Sequence, residues 1–144
     1  MRDFDRPWMR VTLLVVTAFT ALTAAAGGGA LMWGSLSGGS SPIIPPGEYL
    51  QGSPFTGYLV PGILLLVGIA GTHAVAFLAC LRRRRWAPLA VVVAGYACLV
   101  WIFVQMVFIP FSALQALYFG IGCLELGLTL LALRVWPSAP PASR

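Results

Sequence analysis

The stretch HAVAFLACLRRRRWAPLAVVVAG, residues 73–95, decides the fold. Four consecutive arginines separate two runs that are otherwise almost wholly apolar. Charged side chains are costly inside a bilayer, so the run marks a membrane surface and its flanks turn back as an antiparallel hairpin. Each flank then extends to roughly the 20 mostly apolar residues that cross a hydrocarbon core. One reaches back from Leu81 to Tyr58, the other forward from Trp86 to Phe108. Two further segments qualify, residues 9–33 and 114–135, and the short link IPFSA (109–113) folds the last against the third. The expectation is an all-α, four-helix transmembrane bundle of up-down-up-down order. It forms one integral membrane domain over residues 1–144, with an outer loop at 34–57 and an inner loop at 82–85.

Composition leads to the same class. Hydrophobic residues make up 59% of the 144 positions and charged residues 9%, against roughly 25% charged in a soluble domain, and mean hydropathy is +0.89. A soluble core cannot hide that much apolar surface. The net charge of +5 does not indicate nucleic acid, because the arginines sit at the ends of apolar runs rather than along a stripe with exposed aromatics. Their placement is topological. Arg2, Arg6 and Arg10 precede the first span, Arg82, Arg83, Arg84 and Arg85 link the second to the third, and Arg134 and Arg144 follow the fourth. With four spans, all nine fall on one face, and positive charge marks the cytoplasmic side. Both termini are therefore expected in the cytoplasm, with Glu48 the one formal charge outside.

The first segment also has the layout of a signal peptide, with a basic start, an apolar middle and small residues around Ala24 and Ala26. Apolar character resumes at GALMW, residues 29–33, which favours an uncleaved anchor. The outer loop is rich in Gly, Ser and Pro and cannot form a domain of its own. Ile43, Ile44, Tyr49, Leu50 and Phe55 are expected to dock on the bundle as a partly ordered cap. Trp8, Trp33, Trp86 and Trp136 fit interfacial anchoring. Small residues four apart, such as Ala21 with Ala25, Ala70 with Ala74, Ala90 with Ala94 and Ala116 with Gly120, suit close helix approach.

RPW (6–8), GSPFTGYLVPG (52–62), RRRRWA (82–87), WIFVQ (101–105) and LQALYFGIG (114–122) follow one another in an order that resembles small four-span bacterial membrane proteins of uncharacterised function. The resemblance implies the four-span fold and a bacterial inner (plasma) membrane. It implies no activity, catalytic residue or cofactor.

The residues inside the membrane that carry chemistry are few. Glu125 lies nine residues before Arg134 and His73 nine before Arg82, so each is roughly 13 Å deep at about 1.5 Å per residue. Tyr96, ten residues after Trp86, is at a similar depth, and Thr17 and Thr20 are near it. At about 100° per residue, Tyr118, Gly122, Glu125 and Thr129 share a face of the fourth span. Tyr96 and Gln105 point to opposite sides of the third. Depth favours Tyr96 inward, which makes His73, Tyr96 and Glu125 a candidate buried polar cluster. Cys98, Trp101 and Gln105 then form a candidate partner face on the outside.

No catalytic, metal or cofactor site is expected. A single histidine cannot supply paired haem ligands, no nucleophile has an oriented base, and Cys80, Cys98 and Cys123 have no CxxC spacing. Arg82, Arg83, Arg84 and Arg85 read as a topology lock able to meet anionic lipid. The leading functional expectation is a non-enzymatic accessory or scaffold subunit packed against lipids, membrane helices or a second copy. The alternatives are a small proton-coupled transporter using Glu125, and a membrane enzyme or a lipid- or quinone-binding protein using the His73, Tyr96 and Glu125 layer.

Overall fold

The computed structural model describes residues 6–37 and 45–133. Arg2, Ile43, Ile44, Arg134, Val135, Trp136 and Arg144, which carry some of the expectations above, lie outside them. Four helices follow in order: α1 (Pro7–Leu36), α2 (Leu59–Leu81), α3 (Ala87–Phe108) and α4 (Ala113–Ala132). Each is long and apolar enough to cross a bilayer, and the described residues contain no strand. α1 packs on α2, α2 on α3 and α3 on α4, while α1 and α4 touch sparingly and close the ring.

Proline supports two of the helix starts, in the first turns of α1 and α3, where its missing N–H has no intrahelical partner to lose. α4 opens on a capping box: Ser112 Oγ accepts from the Gln115 N–H, and Gln115 Oε1 accepts from the Ser112 N–H. α2 ends in the tight turn that carries the arginines. Arg84 N–H donates to Ala79 O and Arg83 N–H to Cys80 O, with Arg83 at φ 50°, the left-handed position that glycine usually fills in this motif. Arg10 reaches across from α1 and donates to the Cys80 and Leu81 carbonyls, satisfying the end of α2.

Backbones approach most closely at glycines. A Cβ on Gly28 would lie 2.8 Å from Gly62 O, and one on Gly122 would lie 3.1 Å from Gly95 O, so α1 meets α2 and α3 meets α4 where only hydrogen fits. Of the alanine pairs expected to do this, Ala90 and Ala94 are buried, whereas Ala116 and Gly120 face outward. At the arginine end, Met9, Leu13, Ala76, Ala79, Ala87, Val91, Leu128 and Ala132 form a continuous core. At the loop end, Ala24, Ile69 and Ala70 pack with Leu65, Leu66 and Trp101 around space that is not filled.

The loop segment from Pro45 makes a short helical turn at Gly47–Leu50, and the Tyr58 hydroxyl donates to Pro46 O at 2.7 Å. Tyr49, Leu50 and Phe55 are partly buried against the bundle end, the cap expected for them.

Candidate functional site

Eight residues before His73 change what its ring can do. From Leu64 to Gly71 the turns of α2 are π-helical, a widening that loosens the regular carbonyl-to-amide ladder. Carbonyls there accept from side chains: Thr72 Oγ1 donates to Gly68 O at 2.6 Å and to Ile69 O at 3.1 Å, and His73 Nδ1 lies 2.8 Å from Ile69 O. A carbonyl oxygen only accepts, so Nδ1 carries the hydrogen. The other ring nitrogen, Nε2, faces Glu125 Oε2 at 3.3 Å.

Both side chains are wholly buried. The contact between them is close but oblique, and His73 Nε2 and both Glu125 oxygens have no full hydrogen bond. No donor other than His73 reaches the carboxyl group among the described residues. Thr17, Thr20 and Thr129, equally buried, direct their hydroxyls to Leu13, Val16 and Glu125 backbone carbonyls of their own helices.

Fixing Nδ1–H restricts the protonation states. If Nε2 is bare, the carboxyl must hold a proton for the two to attract; if Nε2 carries one, the partner is a carboxylate. Either way one mobile proton sits between the two residues and the pair is neutral. Removing it sets a carboxylate against a lone pair, and adding one leaves a net positive charge. Both alternatives bury an uncompensated charge, which costs several kcal/mol in the interior of a protein.

The third expected member is elsewhere. Tyr96 is 58% exposed on the outside of α3, because the buried stripe of that helix runs through Ala87, Val91, Ala94, Gly95, Cys98 and Ile102. At Gly95 the helix lies against Gly122 of α4 and leaves no room for a phenol. Depth gave the wrong face; close packing selects small residues, and Tyr96 is one step around from them. Of the expected outer face, Cys98 is buried and Trp101 and Gln105 are half-buried. Cys98 is 1% exposed and donates its thiol to Tyr118 O, and Cys98, Trp101 and Gln105 line a cavity rather than a partner surface.

That cavity, of about 210 Å3, lies between all four helices at the loop end, bounded by residues such as Thr23, Ile69, Trp101, Gln105, Gln115 and Tyr118. Ile69 connects it to the pair, since it lines the cavity and its carbonyl holds His73. A second space of about 120 Å3 beneath the Tyr49–Phe55 cap shares Trp101, Gln105 and Ile109 with the first. Between α1 and α4 the cavity is bounded by one bridge. The Tyr118 hydroxyl donates to Thr23 Oγ1 at 2.7 Å, with the Tyr118 ring stacked on Phe19 at 6.5 Å between centroids.

Gln115 escaped the sequence reading, although its spacing in Ser112-Ala-Leu-Gln115 is a capping-box signature. Arg82, Arg83, Arg84 and Arg85 are all exposed at the opposite end, and among the described residues no three His, Cys, Asp or Glu side chains converge. No family model, curated protein or solved structure matches the chain.

Proposed function

We propose that the protein is a small proton-linked carrier in which the His73–Glu125 pair holds the proton and the adjoining cavity holds the cargo. The observation that carries this reading is the shared residue between them: Ile69 fixes the histidine and walls the cavity, so a change in one is felt at the other. A buried pair that is neutral with one proton resists losing or gaining one alone. Coupling that exchange to cargo entry, which alters the packing around Ile69, supplies a way through.

An accessory or scaffold role, which rests on apolar helix faces suited to packing, is less well supported, because no feature of those faces points to a particular partner. The remaining outer faces are apolar and suited to lipid. On the arginine count both termini are cytoplasmic, on the resemblance the membrane is a bacterial inner one, and the exposed Arg82–Arg85 turn can meet anionic headgroups there. The use of an arginine at the left-handed Arg83 position supports a topological role, since turn geometry alone favours glycine.

Proteoliposomes prepared from the total lipid extract of the host membrane, which supplies the native lipophilic molecules, test the carrier reading. With an imposed inward proton gradient and an internal pH dye, wild-type vesicles are expected to acidify faster than empty ones, and Glu125→Gln vesicles at the empty rate. Equal rates for wild type and Glu125→Gln would exclude proton linkage at the pair.

A further inference from the structure

The walls of the loop-end cavity narrow what it can hold. No charged side chain lines it, and an ion taken from water into such a space would be uncompensated. The occupant is therefore uncharged. Its polar requirement follows from the donors that remain. Tyr118 gives its hydrogen to Thr23, Thr23 to Phe19 O, and Cys98 to Tyr118 O. Gln115, only 5% exposed, accepts through Oε1 from the Ser112 N–H, which identifies Nε2 as its NH2. That group and the whole Gln105 carboxamide have no hydrogen-bond partner among the described residues. Two amide donors line a largely apolar cavity beside the Trp101 indole N–H and the Ser112 hydroxyl; such a set of donors suits an acceptor on the occupant, and a carbonyl oxygen is the uncharged acceptor of matching geometry.

Depth and size add two further limits. Gln105 lies in the last turn of α3 and Gln115 in the first turn of α4, so the donors stand near the membrane interface, the level of lipid ester groups. The volume of about 210 Å3 exceeds the roughly 150 Å3 that accepts a benzene ring. It is too small for a whole lipid. The occupant must place one substituted ring or one ester group inside and leave its tail in the bilayer. The sparse contact between α1 and α4, bridged by Tyr118 and Thr23, is where such a tail can pass.

We propose that this cavity binds an uncharged, carbonyl-bearing, lipid-soluble molecule, with its carbonyl oxygen on Gln115 Nε2 and the Gln105 amide and its apolar body against Trp101 and Ile102. The shared chemistry has two sources, a quinone ring and the ester of an uncharged glycerolipid. No electron transfer is involved. The proposal names the cargo of the carrier described above and rests on that reading for its purpose, though not for the binding itself.

The test uses the full chain in nanodiscs and reads the emission of Trp101, with Trp101→Phe marking the signal that arises at the cavity. Decylubiquinone and dioctanoylglycerol are the two probes and decylbenzene, which lacks a carbonyl, is the control. At least one carbonyl probe is expected to change the Trp101 signal saturably, and which one does so identifies the source. Decylbenzene is expected to bind about tenfold more weakly, as for the loss of the hydrogen bonds to the two amides. Gln105→Met removes one of the two amides without touching the capping box at Ser112 and Gln115, and is expected to weaken the carbonyl probe by about tenfold. Ala24→Leu projects into the space from α1 and is expected to abolish binding while the chain remains monodisperse. The proposal is overturned if neither carbonyl probe saturates, if decylbenzene binds as well as they do, or if Ala24→Leu and Gln105→Met both bind as wild type does. Probe binding retained in Glu125→Gln, together with proton flux independent of Glu125, would remove the carrier reading and leave the site. Glu125-dependent flux with no probe binding would do the reverse.

Discussion

The two ends of the bundle are made from the same apolar alphabet and are packed differently. At the arginine end, alanines from α2, α3 and α4 close around Leu13, Val91 and Leu128 in one continuous cluster. At the loop end, Trp101 and Leu65 pack with Ile69 around a space of about 210 Å3 that is left between the helices. Small side chains let backbones close up, whereas bulky ones of unmatched shape hold them apart. The His73–Glu125 pair lies one turn below the Ile69 boundary. The tight end therefore seals the proton-bearing group, and the loose end supplies a place for something to bind.

The largest expected effect bears on the seal. Glu125→Ala leaves a buried imidazole without its partner, and His73→Ala leaves a buried carboxyl group. Each is expected to destabilise by about 3–5 kcal/mol in detergent unfolding titrations. The double variant should lose less than the sum, because neither orphan remains. Additive losses would mean that the 3.3 Å contact carries no coupling.

A paired substitution tests the contrast itself. Ala94→Leu adds three carbons to a fully buried position in the tight end and is expected to cost about 1–3 kcal/mol by overpacking. Ala24→Leu makes the same addition beside the cavity and is expected to be close to neutral in thermal unfolding. Equal losses would show that the loop-end space collapses and is no site.

Smaller changes refine the loose end. Ser112→Ala removes one half of the capping box and is expected to cost about 1 kcal/mol. Tyr118→Phe removes the hydroxyl bridge to Thr23, an interhelical bond worth about 0.6 kcal/mol on average in membranes. Its stability loss should be slight, with faster hydrogen exchange confined to the α1–α4 seam. In the opposite direction, Arg83→Gly relieves the φ 50° position and is expected to stabilise by about 0.5–1 kcal/mol.

The spans were legible because the hydrophobic run lengths and the arginine run leave no other chain path. The His73–Glu125 meeting was legible because depth can be counted from the arginines, and because each residue is the one strongly polar group at its level of its helix. The facing of α3 was not. Tyr96 and Gln105 point in opposite directions, and which one is inside depends on where α3 touches α4, at Gly95 and Gly122. A single glycine in an Ala- and Val-rich helix does not reveal its partner. The π-helical turns of α2 were equally hidden, as LLLVGIAG has no pattern that distinguishes them from ordinary helix. They include the Ile69 carbonyl, which faces His73 Nδ1 and sets the tautomer of the ring.

His73 is the one histidine in the chain, so 15N labelling of histidine reports on a single ring. The most direct measurement is the solid-state 15N spectrum of that ring in lipid, for wild type and Glu125→Gln. The account predicts a protonated Nδ1 in both, a wild-type Nε2 that shares or holds a proton with Glu125, and a bare Nε2 accepting from the amide in the variant. A bare Nδ1 in wild type, or a ring unchanged by loss of the carboxyl group, would contradict it.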